Sequence, residues 1–130
     1  MPRGEYKLHY LKKDLEIINR AGLPHELLIV DHSDETTIEW TLRETEAYVG
    51  ISVGSYFRVT DPHFFAEVID RHGPERIIVN TDHAAQLSCD ILAVPTAIRE
   101  MRRRGIEKEA IRRSVFDNAN NCFRMGLEHG

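Results

Sequence analysis

Three short apolar runs, separated by segments with helical periodicity, constrain the fold of this chain more than any other feature. The runs cover residues 27–30, 48–54 and 77–79. The run 77–79 contains no polar residue, which is typical of a strand covered on both faces, as in a parallel sheet. Strands that alternate with helices form parallel βαβ units with right-handed crossovers. The order of elements therefore predicts an α/β fold built on parallel strands.

The segments between the apolar runs carry helical spacing and helix-capping residues. From about residue 7 to residue 20, apolar residues recur every three to four positions with charged residues between them, which predicts an amphipathic helix. Ser33 or Asp34 is expected to cap the next helix, and Asp61 followed by Pro62 opens another. Further helices are predicted over residues 95–104, 107–115 and 118–125.

Length and charge limit the class of protein. With 130 residues, the chain is expected to form one domain, over residues 1–130, that buries roughly two-thirds of its unfolded surface. Its 17 Lys and Arg against 21 Asp and Glu, a net charge of −4, argue against a protein that binds nucleic acid through bulk positive charge. A nucleic-acid fragment as a small substrate is not excluded.

Cysteine usage and hydropathy indicate the cellular compartment in which such a chain is expected. Cys89 and Cys122 have no C-x-x-C spacing, which suits a reducing compartment rather than a disulfide framework or a zinc knuckle. The first residues are polar, and no apolar run approaches the roughly 20 residues that span a bilayer. We expect a cytoplasmic protein without a signal peptide or a membrane anchor.

His32 and Asp82 are the candidate site residues. Each lies just beyond the carboxyl end of a predicted strand, and the carboxyl ends of parallel strands meet at one edge of a sheet. Imidazole and carboxylate are suitable ligands for zinc or a similar divalent ion, and a carboxylate next to an activated water can accept its proton. The alternatives are structural: Asp82 as a turn or cap residue, and His32 as a loop-capping histidine.

Five stretches of the chain, in this order, resemble a known family. They are residues 28–32 (LIVDH), 48–53 (YVGISV), 75–82 (ERIIVNTD), 101–106 (MRRRGI) and 117–123 (DNANNCF). Together they resemble the carboxyl-terminal part of the TatD-like metal-dependent hydrolases, which belong to the amidohydrolase superfamily of (β/α)₈ barrels. The resemblance covers about residues 8–123.

The resemblance implies a fold, a site and a chemistry. The three strands would correspond to the sixth, seventh and eighth strands of a TIM-like barrel. His32 would match the metal-site histidine after the sixth strand. Asp82 would match the aspartate after the eighth strand, which binds metal and handles the proton of the attacking water. The cofactor would be a divalent ion such as zinc, magnesium or manganese, and the substrate a phosphodiester, an amide or an ester. His83 has no firm counterpart; it is expected to be a loop histidine, with a pocket residue as the alternative.

The chain also departs from this family. The first-strand His-x-His pair is absent, because no two of the seven histidines stand two positions apart. A complete barrel takes roughly 250 residues, about twice the length of this chain, so the sequence resembles a truncated barrel. It would be either a fragment of a longer protein or a separate gene product.

Three strands cut from a barrel leave two unpaired edges and an inner face open to water. We therefore expect a homo-oligomer, or a partner that supplies the missing part of the barrel. The alternative to a hydrolase is a non-catalytic α/β half-barrel that acts as an oligomerisation or interaction module.

One charged segment has an ordinary explanation. Six arginines lie between residues 99 and 113, with Glu100, Glu107 and Glu109 among them. Mixed charges of this kind favour a solvated, ion-paired surface over a phosphate-binding face.

Overall fold

The computed structural model describes residues 3–54, 61–82 and 90–126. Its elements, in chain order, are α1 (Arg3–Arg20), a 3₁₀ turn (His25–Leu27), β1 (Ile29–Val30), α2 (Glu35–Glu44), β2 (Tyr48–Ser52), α3 (Pro62–His72), β3 (Ile77–Asn80), α4 (Ala93–Arg103), α5 (Lys108–Arg112), a π-helical segment (Arg113–Asp117) and α6 (Asn118–Cys122). The predicted alternation of strands and helices is confirmed.

The strands form one parallel sheet in the order β1-β2-β3. Ile29 pairs with Tyr48 across β1 and β2, and Ser52 pairs with Asn80 across β2 and β3. Because all three strands run in the same direction, their carboxyl ends lie at the same edge. The α/β class and the parallel sheet are thus confirmed, whereas the relation to a barrel stays a prediction.

The core lies between β2 and the helices α3 and α4. Val49 and Ile51 of β2 are fully buried, as are Phe65 of α3 and Met101 of α4. Full burial of a side chain of this size contributes roughly 1.5–3 kcal/mol. Phe65, Val68 and Ile69, which share one face of α3, all belong to this core.

Helix α2 begins at a capping box. The Asp34 carboxylate accepts a hydrogen bond from Thr37 N at 3.1 Å, and the Thr37 hydroxyl accepts one from Asp34 N at 2.9 Å. Burial would raise the pKa of the Asp34 carboxyl, but the hydrogen bonds from Thr37 and the charge of Lys7 outweigh it and hold this pKa below its usual value. Of the two predicted caps, Asp34 is therefore the actual one.

Two predicted boundaries are wrong. The first strand covers only Ile29–Val30 instead of the predicted residues 27–30, and both of its residues are half-buried. Residues 25–27 form a 3₁₀ turn instead. The predicted helices 107–115 and 118–125 are one continuous helical segment from Lys108 to Cys122, joined through the π-helical turn. Asn118 anchors this segment by donating hydrogen bonds to Pro74 O and Ile77 O at 2.7 and 2.8 Å.

Arg76 connects the start of β3 to the end of α2. Its guanidinium donates to Leu42 O and Thr45 O at 2.6 Å and to Ala47 O at 3.0 Å. The last carbonyls of a helix lack intrahelical partners, and a cation near them also interacts favourably with the helix dipole. Arg76 therefore stabilises the edge of the sheet opposite to the candidate site.

The arginine-rich surface is ion-paired, as predicted. The pairs are Arg99–Glu100, Arg103–Glu100, Arg104–Asp70, Arg112–Asp117 and Arg113–Glu75, at 3.0 to 3.5 Å. In the part of the chain that the structure describes, no helix is long and apolar enough to cross a membrane.

Candidate metal centre at the carboxyl edge of the sheet

The structure brings His32 and Asp82 together. His32 follows β1 and Asp82 follows β3, and their Nε2 and Oδ2 atoms lie 3.8 Å apart. Both residues adopt the left-handed backbone conformation, with φ of 52° and 49°. Non-glycine residues adopt it uncommonly, although Asp and His do so more often than most. The predicted proximity is confirmed, whereas the roles of the two residues stay predictions.

Ser52, at the end of β2, joins the two outer strands. Its Oγ lies 2.7 Å from His32 Nδ1 and donates to Asn80 Oδ1 at 2.8 Å. Asn80 Nδ2 in turn donates to Asp31 Oδ1 at 2.8 Å. The result is a chain of hydrogen bonds across all three strands, in the order His32, Ser52, Asn80 and Asp31.

This chain of hydrogen bonds fixes the tautomer of His32. The carboxylate of Asp31 only accepts, so the Asn80 atom that faces it is the amide nitrogen, and the Asn80 oxygen faces Ser52. The single hydroxyl proton of Ser52 goes to that oxygen, and Ser52 must accept from His32 Nδ1–H. In the neutral ring, Nε2 then carries a lone pair, which is the form of histidine that binds metals.

Asp31 is the site residue that sequence reasoning missed. Its Oδ2 lies 3.8 Å from His32 Nε2, the same distance as Asp82 Oδ2. Its Oδ1 also accepts from His32 N at 2.8 Å. A signal was present in Gly50: a Cβ there would come within 2.5 Å of Asp31 Oδ1, so the small residues of β2 leave room for this carboxylate.

Lys7 reaches the site from α1. Its ammonium donates to His32 O at 2.8 Å and lies 3.4 Å from Asp34 Oδ2. No local sequence pattern places Lys7 here, because it stands 25 residues before His32.

The site is open to solvent on one side. The side chains of His32, Asp82 and Asp31 are 27%, 38% and 44% exposed. A groove of about 650 Å³ is lined by residues of α1 and β1, among them Tyr6, Tyr10 and Leu28, and also by His32. A small molecule can therefore reach Nε2 and the carboxylates. His83 lies outside the described residues.

The donor atoms suit a divalent cation in kind but do not complete its coordination. Zinc holds nitrogen and oxygen ligands about 2.0–2.2 Å away, which places two ligands of a tetrahedral site roughly 3.3 Å apart. The 3.8 Å separations around Nε2 are slightly wider. Within residues 3–54, 61–82 and 90–126, no group of three or more His, Cys, Asp or Glu side chains is placed to hold a metal ion. These residues thus fit part of a coordination sphere.

A comparison with known proteins found one relative of stated name. The chain is 28% identical, over 111 residues, to a protein of Methanocaldococcus jannaschii named "uncharacterized metal-dependent hydrolase". The aligned part covers 85% of this chain but 42% of that protein, so the chain spans less than half the length of the relative it matches. No family model matches the chain. No solved structure matches it either.

Proposed function

We propose that this chain forms the last part of the active site of a metal-dependent hydrolase similar to the TatD-like enzymes. The observation that carries the proposal is the 3.8 Å approach of His32 Nε2 to Asp82 Oδ2, with Nδ1 of the same ring held 2.7 Å from Ser52 Oγ. The name of the archaeal relative supports the general class. The TatD-like assignment rests on the five sequence stretches and their order.

In this proposal His32 and Asp82 hold the ion, which would be zinc, magnesium or manganese. A divalent ion at this position would supply Lewis acidity toward the substrate and an activated water. Asp82 accepts the proton of the attacking water, since its carboxylate is partly exposed and adjoins the ion-binding nitrogen. Ser52 holds His32 in the tautomer that leaves Nε2 free. Asp31 holds Asn80, and through it Ser52.

The proposed substrate is a small ester, amide or phosphodiester, including nucleic-acid fragments. The partly exposed side chains of His32 and Asp82 leave such a molecule access to the site. Arg104 and Arg113 pair with carboxylates at 3.4 and 3.0 Å, which agrees with the proposal that the chain does not bind nucleic acid in bulk.

The remaining ligands must come from elsewhere. Among the described residues, β1 is an edge strand of the sheet. It pairs with β2 on one side, and no described strand pairs with its other side. Leu28 O accepts from Tyr48 N, so the alternate residue Ile29 directs its own backbone groups away from β2. An open edge of this kind accepts a further strand. We propose that a second copy, or another part of a longer chain, supplies it together with the missing metal ligands.

The experiment compares His32→Ala and Asp82→Ala with the unmodified chain. Zinc and manganese content is measured together with hydrolysis of bis(p-nitrophenyl) phosphate and p-nitrophenyl acetate. Both variants should lose metal and activity. His72→Ala and Asp70→Ala, which remove exposed side chains of α3 away from the site, serve as matched controls and should retain both. Unchanged metal content and hydrolysis in the two site variants would refute the proposal.

One observation favours a second candidate, an interaction module without catalysis. The described residues lack a three-ligand group, whereas the open edge of β1 can pair with another chain. This candidate predicts concentration-dependent association with no metal content in the unmodified chain, which light scattering and elemental analysis measure.

A further inference from the structure

We infer that Lys7 is a positioning residue of the candidate metal centre, which holds His32 in the conformation that turns Nε2 toward Asp82. The inference rests on the proposed function in one respect, because it assigns Lys7 a purpose in metal binding. Its structural part concerns the backbone of His32 and can be tested without metal.

The contact is direct and comes from a distant part of the chain. Lys7 Nζ donates to His32 O at 2.8 Å. The Lys7 side chain is one-third exposed, and its charge is balanced by Asp34 Oδ2 at 3.4 Å. Because Asp34 neutralises the ammonium, Lys7 can lie beside the site without competing for the carboxylates of Asp31 and Asp82.

The backbone of His32 needs such a contact. Its φ of 52° is unfavourable for a residue with a Cβ, and such a conformation persists only when surrounding contacts enforce it. The peptide group between His32 and Ser33 is held at both ends. Its oxygen accepts from Lys7, and its N–H donates to Gly50 O at 3.0 Å. Loss of Lys7 frees one end of this peptide.

The consequence reaches the imidazole ring. His32 Nδ1 is tied to Ser52 at 2.7 Å, so the ring direction depends on where the backbone places Cβ. If the peptide relaxes, this hydrogen bond and the 3.8 Å approach of Nε2 to Asp82 cannot both be kept. Lys7 would then act on the metal through His32 and not as a ligand.

The test uses the full chain and three variants, with Zn²⁺ as the probe. Lys7→Met removes the donor and keeps the length of the side chain. Lys7→Arg keeps a charged donor. Lys13→Met makes the same change at an exposed position of the same helix and is the matched control. Far-UV circular dichroism establishes that each variant is folded.

Two readouts are measured. Calorimetry should give Zn²⁺ binding that is about 10-fold weaker in Lys7→Met, as is typical when a residue that orients a ligand is lost, with most of the affinity restored in Lys7→Arg. In the metal-free chain, NMR should show that the Cα and Cβ shifts of His32 leave the left-handed range in Lys7→Met. Lys13→Met should match the unmodified chain in both.

Asp34→Asn separates the two contacts of Lys7. Asparagine still caps α2 but carries no charge, so the pair with Lys7 is lost while the bond to His32 O is kept. We expect near-normal Zn²⁺ binding in this variant. If the Cα and Cβ shifts of His32 were unchanged in Lys7→Met, the inference would be overturned. A loss of Zn²⁺ binding in Asp34→Asn as large as that in Lys7→Met would also overturn it. If the unmodified chain binds no Zn²⁺, a second copy of this chain does not supply the missing ligands, and the His32 shifts still decide the structural part.

Discussion

The Ser52 hydroxyl donates to Asn80 Oδ1 at 2.8 Å, between residues that the parallel register places side by side on β2 and β3. This hydrogen bond uses the single proton of the hydroxyl, and it therefore determines that Ser52 accepts from His32. The state of the His32 ring is thus set by hydrogen bonds that run from Asp31 through Asn80 on β3 and Ser52 on β2.

Replacement of Ser52 by alanine should release His32. The ring loses the acceptor at Nδ1, and the neutral ring should then populate both tautomers. We expect Zn²⁺ affinity to fall by about 10-fold or more, without loss of the fold. Long-range ¹⁵N NMR of the imidazole at alkaline pH measures the tautomer, and calorimetry measures the affinity.

The matched control is Thr41→Val, which also deletes a buried hydroxyl. Thr41 Oγ1 has no hydrogen-bond partner among the described residues and lies in α2, away from His32. This variant should leave both readouts unchanged. A single Nδ1–H tautomer in Ser52→Ala would show that something other than Ser52 fixes the ring.

Arg76→Met should destabilise the fold at the opposite edge of the sheet. The variant leaves the carbonyls of Leu42, Thr45 and Ala47 without the guanidinium, and a partly buried group that loses a charged partner costs about 1.5–3 kcal/mol. We expect a loss near the upper end of this range, measured by urea unfolding. Arg71→Met, which removes an exposed pair with Glu67, should change stability by less than about 1 kcal/mol. Equal effects of the two variants would contradict this account.

Asp34 should make stability depend on acid pH. The pKa of its carboxyl is lower in the folded chain than its usual value, and the usual value is about 3.9. A depressed pKa contributes stability that is present above about pH 4 and is lost as the pH falls through the folded value. Asparagine keeps the cap but does not titrate. The unfolding free energies of the unmodified chain and Asp34→Asn, measured by urea from neutral to strongly acidic pH, should therefore converge as the pH falls. A constant difference would argue against this contribution.

The order of elements could be predicted because it depends on local patterns. Each of these patterns involves only a few neighbouring residues. They are the caps Asp34 and Asp61, the apolar stripe on α3 and the apolar run 77–79. The first strand was predicted too long because residues 27 and 28 are apolar, but the chain enters β1 through a 3₁₀ turn. The spacing of apolar residues does not distinguish a 3₁₀ turn from the start of a strand.

The proximity of His32 and Asp82 could also be predicted, because parallel strands end at one edge. The rest of the site could not. The contacts of Ser52 with Asn80 and of Lys7 with His32 join residues 28 and 25 positions apart. They depend on strand register and on how α1 packs, and a single sequence specifies neither locally.

Gly50→Ala should disturb both stability and the metal centre. A Cβ at Gly50 would lie 2.5 Å from Asp31 Oδ1 and 3.2 Å from Asp31 Cα. The side chain of Asp31 can turn away, which breaks its bond to Asn80, but the backbone atom can move only if β1 separates from β2. We expect a loss of about 1–3 kcal/mol, typical of overpacking, together with weaker Zn²⁺ binding.

Gly22→Ala is the comparison that separates the two effects. Gly22 has φ of +71° and no atom within 4 Å of the position of a Cβ. Alanine there should lower the free energy of unfolding only through the left-handed backbone, by about 1–2 kcal/mol. Both variants should therefore lower the urea midpoint, and Gly50→Ala alone should weaken Zn²⁺ binding. If Gly50→Ala bound Zn²⁺ as tightly as the unmodified chain, Asp31 would have no part in holding Asn80, Ser52 and His32 in place, and the hydrogen-bond chain would end at Asn80.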